Sequence, residues 1–169
     1  ILNLAIYRGT KMVTMPRFDL EQFLQIVQEH KVTVISLVPP IILALAKHPI
    51  VDNYDVSSVR IIGSGAAPLG QELEQACAAR LGCEIYQGFG LTEVAGASHV
   101  NSALTGVIKP GSVGPVIPNT ESKIIDIETG TELSANEKGE ILIRGPHVMV
   151  GYLNNPAATA NAIDSEGWF

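Results

Sequence analysis

"VRIIGSGAAPLGQELEQACAARLGCEIYQG", residues 59–88, predicts a strand, a helix and a second strand in immediate succession. Glu72 and Glu74 lie near the start of this helix and Arg80 near its end, which suits the helix dipole. Gly82 supplies the residue type that most often follows a helix. Strands joined through a helix favour parallel pairing. We therefore expect an α/β fold with layers, in which helices flank a largely parallel sheet.

The residues before this stretch continue the alternation of strand and helix. "VTVISLV", residues 32–38, is nearly continuously apolar and rich in β-branched residues, as expected for a strand covered on both faces. The two prolines at 39–40 suit the first turn of the next helix. Asp19 is positioned to cap an earlier helix, with apolar residues on one face. Those residues are Leu20, Phe23, Leu24 and Val27. "TKMVTM", residues 10–15, predicts a short strand before that helix.

The second part of the chain has a different pattern. Residues 109–145 contain Gly and Pro at short intervals, turn sequences such as "ETGTE" and short strands without helical periodicity. This pattern predicts a small antiparallel β unit, and "NPAATANAI", residues 155–163, predicts a final helix. We place the boundary at residues 101–109, between an α/β subdomain over 1–105 and a small β-rich subdomain over 106–169.

Composition narrows the possible partners. The 169 residues are 46% hydrophobic and 17% charged, with a net charge of −6, which is typical of compact proteins. The eleven Lys and Arg residues are scattered, so we expect no nucleic-acid partner. The longest apolar run is interrupted by Ser36 and two prolines, so we expect no transmembrane segment.

The cysteines and the chain ends give further expectations. Cys77 and Cys83 have neither a CxxC spacing nor nearby metal-ligating partners in sequence, which favours ordinary core thiols in a reducing compartment. We expect a cytoplasmic location, with a peroxisomal one as the alternative. The opening "ILNLAIYRG" and the closing "SEGWF" both suggest a piece of a longer protein, which would contact the missing parts of its own chain.

The first glycine-rich turn does not match a known phosphate-binding motif. From Gly63 the pattern has Pro68 where a dinucleotide fingerprint needs glycine or alanine. Gln71 and Glu72 stand where a P-loop needs Lys and Ser or Thr. Two interpretations remain open: a strand end of small residues that lies against a flat ligand, or a tight turn without a ligand.

The second turn, "QGFGLTE" at residues 87–93, carries more chemistry. Its two glycines are expected to turn the chain at the end of a strand, the edge where open α/β sheets bind ligands. Phe89 offers a ring for stacking on a purine, Thr92 a hydroxyl for a phosphate oxygen, and Glu93 an oxygen ligand for Mg²⁺. The alternative is that Phe89 belongs to the core and Glu93 caps a helix.

Several motifs in one order resemble the adenylate-forming acyl-CoA synthetases, most closely the 4-coumarate-CoA ligase and firefly luciferase-like branch. They are "SGAAPLG", "QGFGLTE", "KPGSVGPVIPNTE" and "GEILIRGPHVMVGYLNNPAATANAIDSEGWF". The resemblance covers nearly the whole chain. It implies that the parent enzyme uses ATP and Mg²⁺ to form an acyl-adenylate from a carboxylic acid, and then transfers the acyl group to coenzyme A.

The resemblance also implies roles for individual residues. Residues 65–67 would line the adenine and the aromatic end of the acyl group, and residues 87–89 would border the adenylate. Thr92 would contact the α-phosphate and Glu93 the metal, and both would be catalytic. The residues implied to bind the nucleotide or acyl group are Gly65, Ala66, Ala67, Gln87, Gly88, Phe89, Thr92 and Val100. Phe89 replaces a Tyr usual in the family, which keeps stacking but removes a phenolic hydrogen bond.

Three departures from the ligase pattern bear on the size of the pocket for the acid substrate. Gly63 stands where hydroxycinnamate ligases tend to carry a bulky Met, and Gly96 and Ala97 replace Pro and Val. Smaller residues predict a wider pocket and tolerance of a larger or longer acid.

We expect His99 to be a loop histidine bonded to main chain, with a position near the acyl pocket as the alternative.

Other functions remain as alternatives. Within enzymes they are a fatty-acyl-CoA synthetase or luciferase-like enzyme and, ranked lower, an amino-acid-activating domain, because no acidic residue lies between Val56 and Gly70. A non-catalytic nucleotide-binding module is the alternative of another class. The family's phosphate loop, downstream Asp and Arg, and catalytic Lys lie outside these residues, so we predict that this segment alone is inactive.

Overall fold

A four-stranded sheet forms the centre of the first part of the chain. The computed structural model describes residues 2–101 and 109–169. The strands lie side by side in the order β1 (Val34–Leu37), β2 (Ile61–Ser64), β3 (Glu84–Leu91) and β4 (Gly96–Asn101). The first three are parallel, and β4 pairs antiparallel with β3. The predicted α/β fold with a largely parallel sheet is confirmed, whereas β4 was not foreseen.

Helices cover one face of this sheet. The helices of the described residues are α1 (Leu2–Arg8), α2 (Leu20–His30), α3 (Pro39–Lys47), α4 (Gln71–Leu81) and α5 (Pro156–Ala162). Leu37, Ile62 and Ile85, one from each parallel strand, share a buried cluster with side chains of α2, α3 and α4. None of the helices in the described ranges is long and apolar enough to cross a membrane.

The predicted helix ends are confirmed. The Asp19 carboxylate accepts a hydrogen bond of 2.8 Å from the Gln22 main-chain N–H, which caps α2. α4 ends at Gly82, whose φ of 66° lies in the left-handed region that glycine adopts readily.

Two predictions about strands are wrong. Residues 10–15 form no strand, and Met12 and Val13 are exposed side chains. A strand needs a neighbour to pair its main-chain groups, and here the sheet ends at β1. The expected covering of β1 on both faces also fails, because Val34 is 55% exposed while Leu37 is buried on the helix side.

A second, smaller sheet follows. β5 (Glu121–Ile125) and β6 (Glu140–Arg144) pair antiparallel, as predicted for this part of the chain, and α5 confirms the final helix. Phe169 exchanges two main-chain hydrogen bonds, of 2.8 and 2.9 Å, with Ile143 of β6. The boundary predicted at 101–109 falls mostly outside the described residues.

A buried polar network fixes the loop between β2 and α4. The side-chain amide of Gln87 donates to the Leu69 carbonyl at 3.0 Å and accepts from the Leu69 N–H at 3.1 Å. It also donates to the Glu74 carboxylate at 2.7 Å, and that carboxylate accepts from the Gly111 N–H at 3.1 Å. Because Gln87 and Glu74 are both buried, these bonds satisfy groups that would otherwise destabilise the fold. They hold residues 65–70 against β3.

His99 joins the two sheets. It lies on β4, is 7% exposed and sits between two hydroxyls: Nδ1 is 3.0 Å from Ser98 Oγ, and Nε2 is 3.2 Å from Ser122 Oγ on β5. Ser98 in turn donates to the Phe89 carbonyl at 3.2 Å. The expectation of a loop histidine bonded to main chain is therefore wrong. Its partners are two side chains: Ser98 is its neighbour on β4, and Ser122 reaches it only when β5 packs against β4.

Acid is expected to weaken this junction. Burial lowers the pKa of His99 below its ordinary value of 6.5, because the charged ring loses its hydration. The unfolded chain therefore binds a proton at higher pH than the folded protein, and stability falls as the pH drops from above 6.5 toward the folded pKa. We expect His99→Gln to show a smaller loss of thermal stability between pH 7.5 and pH 5.5 than the unmodified protein, measured by circular dichroism. The other three histidines are common to both proteins. An equal loss in both would contradict the assignment.

Candidate functional site

A cleft opens at the carboxyl ends of β1 and β2. Its volume is about 410 Å³. The residues that line it are Ser36, Leu37, Val38, Ile41, Gly63, Ser64, Gly65, Ala66 and Tyr86. Ser36, Gly63 and Tyr86 are direct neighbours across the three parallel strands, on the face opposite the helices. This is the sheet edge where open α/β folds bind ligands.

The loop after β2 presents main chain to the cleft. Gly65 and Ala66 line it, and Ala66 and Ala67 are exposed. Ala66 has a φ of 67°, a left-handed conformation that alanine rarely adopts. The loop therefore exposes main-chain atoms to the cleft. Ser64, at the end of β2 just before the loop, is 4% exposed, and its hydroxyl has no hydrogen-bond partner among the described residues.

Tyr86 fills the room that Gly63 leaves. A Cβ atom placed on Gly63 would lie 2.8 Å from the Tyr86 hydroxyl and 2.9 Å from its ring. Tyr86 was not among the predicted site residues. Its alternation with the buried Ile85 in "EIYQG" is the signal that places it on the face opposite the core.

The glycines of "QGFGLTE" lie in a strand, so the prediction of a turn at Gly88 and Gly90 is wrong. β3 continues to Leu91, with an irregularity in its pairing between Phe89 and Gly90. A Cβ atom at Gly90 would collide with the carbonyl of Gly96 on β4. These glycines are needed where two main chains approach closely, rather than where the chain reverses.

The chain reverses one step later, at a 3₁₀ turn over Thr92–Val94. Ala95 follows with a φ of 53° and closes the turn by donating to the Thr92 carbonyl at 3.1 Å. Thr92 is exposed, Glu93 is half-buried and Val94 is buried. The turn thus anchors its apolar residue and presents a hydroxyl and a carboxylate side by side.

Glu93 is held by a distant segment. Its Oε1 accepts a hydrogen bond of 2.8 Å from the Tyr152 hydroxyl, and its carbonyl accepts one of 2.6 Å from the Met149 N–H. The hydrogen bond to Glu93 raises the pKa of Tyr152, and burial and the negative charge act in the same direction. Glu93 accepts from a tyrosine rather than from a helix N–H, which does not match the alternative of a capping residue.

The arrangement of carboxylates around Glu93 bears on whether a metal could be held there. Within residues 2–101 and 109–169, no group of three or more His, Cys, Asp or Glu is placed to hold a metal ion. Mg²⁺ is commonly held by one or two carboxylates together with phosphate oxygens and water. Glu93 can provide one such carboxylate oxygen, because Oε2 accepts no hydrogen bond from the described residues.

Six of the predicted site residues fall into two groups. Gly65 and Ala66 line the cleft and Ala67 follows them in the same loop, whereas Phe89, Thr92 and Glu93 lie further along β3 and its turn. Phe89 is half-buried, with its ring edge-on to His99 at 6.0 Å between centroids.

The remaining three predicted residues lie on neighbouring strands, Gln87 and Gly88 on β3 and Val100 on β4. Val100 faces Gly88 across the β3–β4 pairing. Gln87 is buried, and its amide is committed to Leu69 and Glu74, so contact with a ligand would have to come from its main chain.

Comparison with known proteins agrees with these features. A model of the AMP-binding enzyme family matches residues 1–153. The protein named 4-coumarate-CoA ligase 1 of Solanum tuberosum is 48% identical over 172 aligned residues, which cover 99% of this chain and 32% of that protein. The chain therefore spans about a third of the length of the curated relatives it matches.

Solved structures show the same fold. ATP-bound MatB from Rhodopseudomonas palustris has a TM-score of 0.88 at 28% identity, with 99% of this chain and 32% of that chain covered. A luciferase-like enzyme from the mealworm Zophobas morio has a TM-score of 0.86 at 25% identity, with 99% of this chain and 40% of that chain covered. The resemblance predicted from the motifs is confirmed: the chain belongs to the family of AMP-binding, adenylate-forming enzymes.

Proposed function

We propose that the full-length protein is an ATP-dependent carboxylate-CoA ligase. An oxygen of the acid attacks the α-phosphorus of ATP, and the bond to pyrophosphate breaks. The thiol of coenzyme A then loses its proton and attacks the acyl carbon of the resulting adenylate, the acyl–phosphate bond breaks, and AMP leaves. Membership of the AMP-binding family and the similarity to a 4-coumarate-CoA ligase support this reaction class. The observation that carries the proposal is the turn that presents Thr92 and Glu93 together.

The turn residues supply what the first step needs. Adenylation depends mainly on positioning and on neutralising phosphate charge. Thr92 is exposed and can donate its hydroxyl to an α-phosphate oxygen, and the free oxygen of Glu93 would hold Mg²⁺. When bound, that ion would neutralise charge on the phosphates. The main chain of residues 65–67 would border the adenine.

The cleft is proposed to take the acid. Leu37, Val38 and Ile41 give it apolar walls, and Tyr86 adds an aromatic ring. Such walls suit a flat aromatic acid of the 4-coumarate type.

The first test removes the charge of Glu93 and keeps its shape. Glu93→Gln retains an oxygen for the Tyr152 hydrogen bond but is a poor metal ligand. We expect acid-dependent ATP–pyrophosphate exchange by the full-length enzyme to fall ~100-fold or more, since charge stabilisation by a metal is worth several kcal/mol. Glu128→Gln is the matched control, because Glu128 is exposed in the turn after β5. Exchange by Glu93→Gln at the unmodified rate would refute the proposed role.

A second test concerns the size of the acid. Tyr86 occupies the space beside Gly63, so its truncation should open the cleft to longer acids. We expect Tyr86→Ala to raise kcat/KM for octanoate relative to 4-coumarate by ~10-fold or more, because contacts of this size change selectivity by 1–3 kcal/mol per methylene. Tyr86→Phe keeps the ring and should leave the ratio near that of the unmodified enzyme. An unchanged ratio in Tyr86→Ala would show that Tyr86 does not limit the acid.

A further inference from the structure

The segment from Met149 to Tyr152 donates two hydrogen bonds to Glu93. The Met149 N–H donates to the Glu93 carbonyl at 2.6 Å, and the Tyr152 hydroxyl donates to Glu93 Oε1 at 2.8 Å. The bond from Met149 restrains the main chain at Glu93, and the bond from Tyr152 restrains the orientation of the carboxylate. Tyr152 and Glu93 are 59 residues apart in sequence, so the contact exists only in the folded chain.

Tyr152 is itself held by the start of α5. Its N–H donates to Thr159 Oγ1 at 2.9 Å, and that hydroxyl donates to the Asn155 carbonyl at 3.0 Å. The Asn155 side chain caps α5 by accepting from the Ala158 N–H at 3.1 Å. Gly151 has a φ of 154°, and a Cβ atom there would lie 2.7 Å from the Thr159 methyl group. The direction of Tyr152 is therefore set by the capped end of a helix.

The hydrogen bond from Tyr152 makes the two carboxylate oxygens of Glu93 different from each other. Oε1 is taken by the tyrosine, whereas Oε2 accepts no hydrogen bond from residues 2–101 or 109–169. Mg²⁺ requires near-ideal octahedral geometry, so the orientation of a ligating carboxylate matters. Ligating carboxylates are generally held by hydrogen bonds, whose loss costs ~10- to 100-fold in metal affinity or activity.

Stability alone is a poor account of this contact. Tyr152 is 39% exposed. A hydrogen bond between exposed side chains, like an exposed ion pair, adds little to the free energy of unfolding. The chain contains a second pair of the same kind, in which the Tyr54 hydroxyl donates to Glu21 at 3.0 Å. Glu21 lies on α2. The two pairs share chemistry, but only one involves the carboxylate proposed to hold the metal.

We propose that Tyr152 is a positioning residue, which orients the Glu93 carboxylate so that Oε2 faces the metal-bound phosphates of ATP. The inference rests on the function proposed for Glu93. Tyr152 does not touch the reacting atoms, and it acts only through Glu93. Its removal should weaken the contribution of the metal to nucleotide binding and leave the binding of the nucleotide without metal unchanged.

The test compares three full-length proteins: the unmodified enzyme, Tyr152→Phe and Tyr54→Phe. Binding of a non-hydrolysable ATP analogue with a methylene bridge between the α- and β-phosphorus is measured by isothermal titration calorimetry, with Mg²⁺ and with EDTA. We expect Tyr152→Phe to reduce the gain in affinity caused by Mg²⁺ by ~10-fold or more. Affinity in EDTA should match that of the unmodified enzyme, and Tyr54→Phe should match it in both conditions. Melting temperatures verify that all three proteins are folded.

The outcomes separate the inference from the function on which it rests. Glu93→Gln is titrated in the same way as a fourth protein. If it loses the Mg²⁺-dependent gain and Tyr152→Phe keeps it, the positioning role is wrong and the role of Glu93 stands. If Tyr152→Phe binds the analogue more tightly with Mg²⁺, the tyrosine competes with the metal for the carboxylate, which also overturns the proposal. If the unmodified enzyme shows no Mg²⁺-dependent gain, both the inference and the proposed role of Glu93 fail.

Discussion

The close approach of β3 and β4 at Gly90 is the constraint on which the site depends. A side chain at Gly90 would collide with the Gly96 carbonyl, so the two main chains can pair only because Gly90 has none. Their pairing brings the chain back on itself within a few residues and leaves the 3₁₀ turn over Thr92–Val94 between them. A hydroxyl and a carboxylate are thereby held side by side on a short turn between two paired strands. A site built on paired strands is more precise than one carried by a free loop.

The elements with strong local signals were predictable. α2 has a capping residue and periodic apolar positions, whereas α4 has acidic residues in its first turn and Gly82 after its last. Both helices begin and end close to where the sequence places them. The strands that run into the core are short and apolar, and they were also found. The sequence predicts a turn at Gly88 and Gly90, because glycine marks both tight turns and close contacts between strands. Sequence spacing alone does not distinguish these two uses.

The contacts between distant residues were not predictable. His99 binds Ser122, and Glu93 binds Tyr152, across long stretches of chain that carry no periodic signal for either pairing. Glycine at position 63 suggested a wider pocket, yet its neighbour across the sheet occupies that space. A small residue widens a pocket only if no adjacent side chain fills the gap. The neighbour is Tyr86, and it lies beside Gly63 because of the register between β2 and β3. That register cannot be obtained from the sequence alone.

The left-handed alanines have a consequence for recognition. Ala66 lies in the loop proposed to border the nucleotide, and Ala95 follows the turn that carries Thr92 and Glu93, with φ values of 67° and 53°. A residue other than glycine in this conformation costs about 1 kcal/mol or more, which the surrounding structure must supply. That energy is committed when the chain folds. A nucleotide bound at the proposed site would meet main chain already in its final conformation, and less of its binding energy would be lost to ordering the backbone.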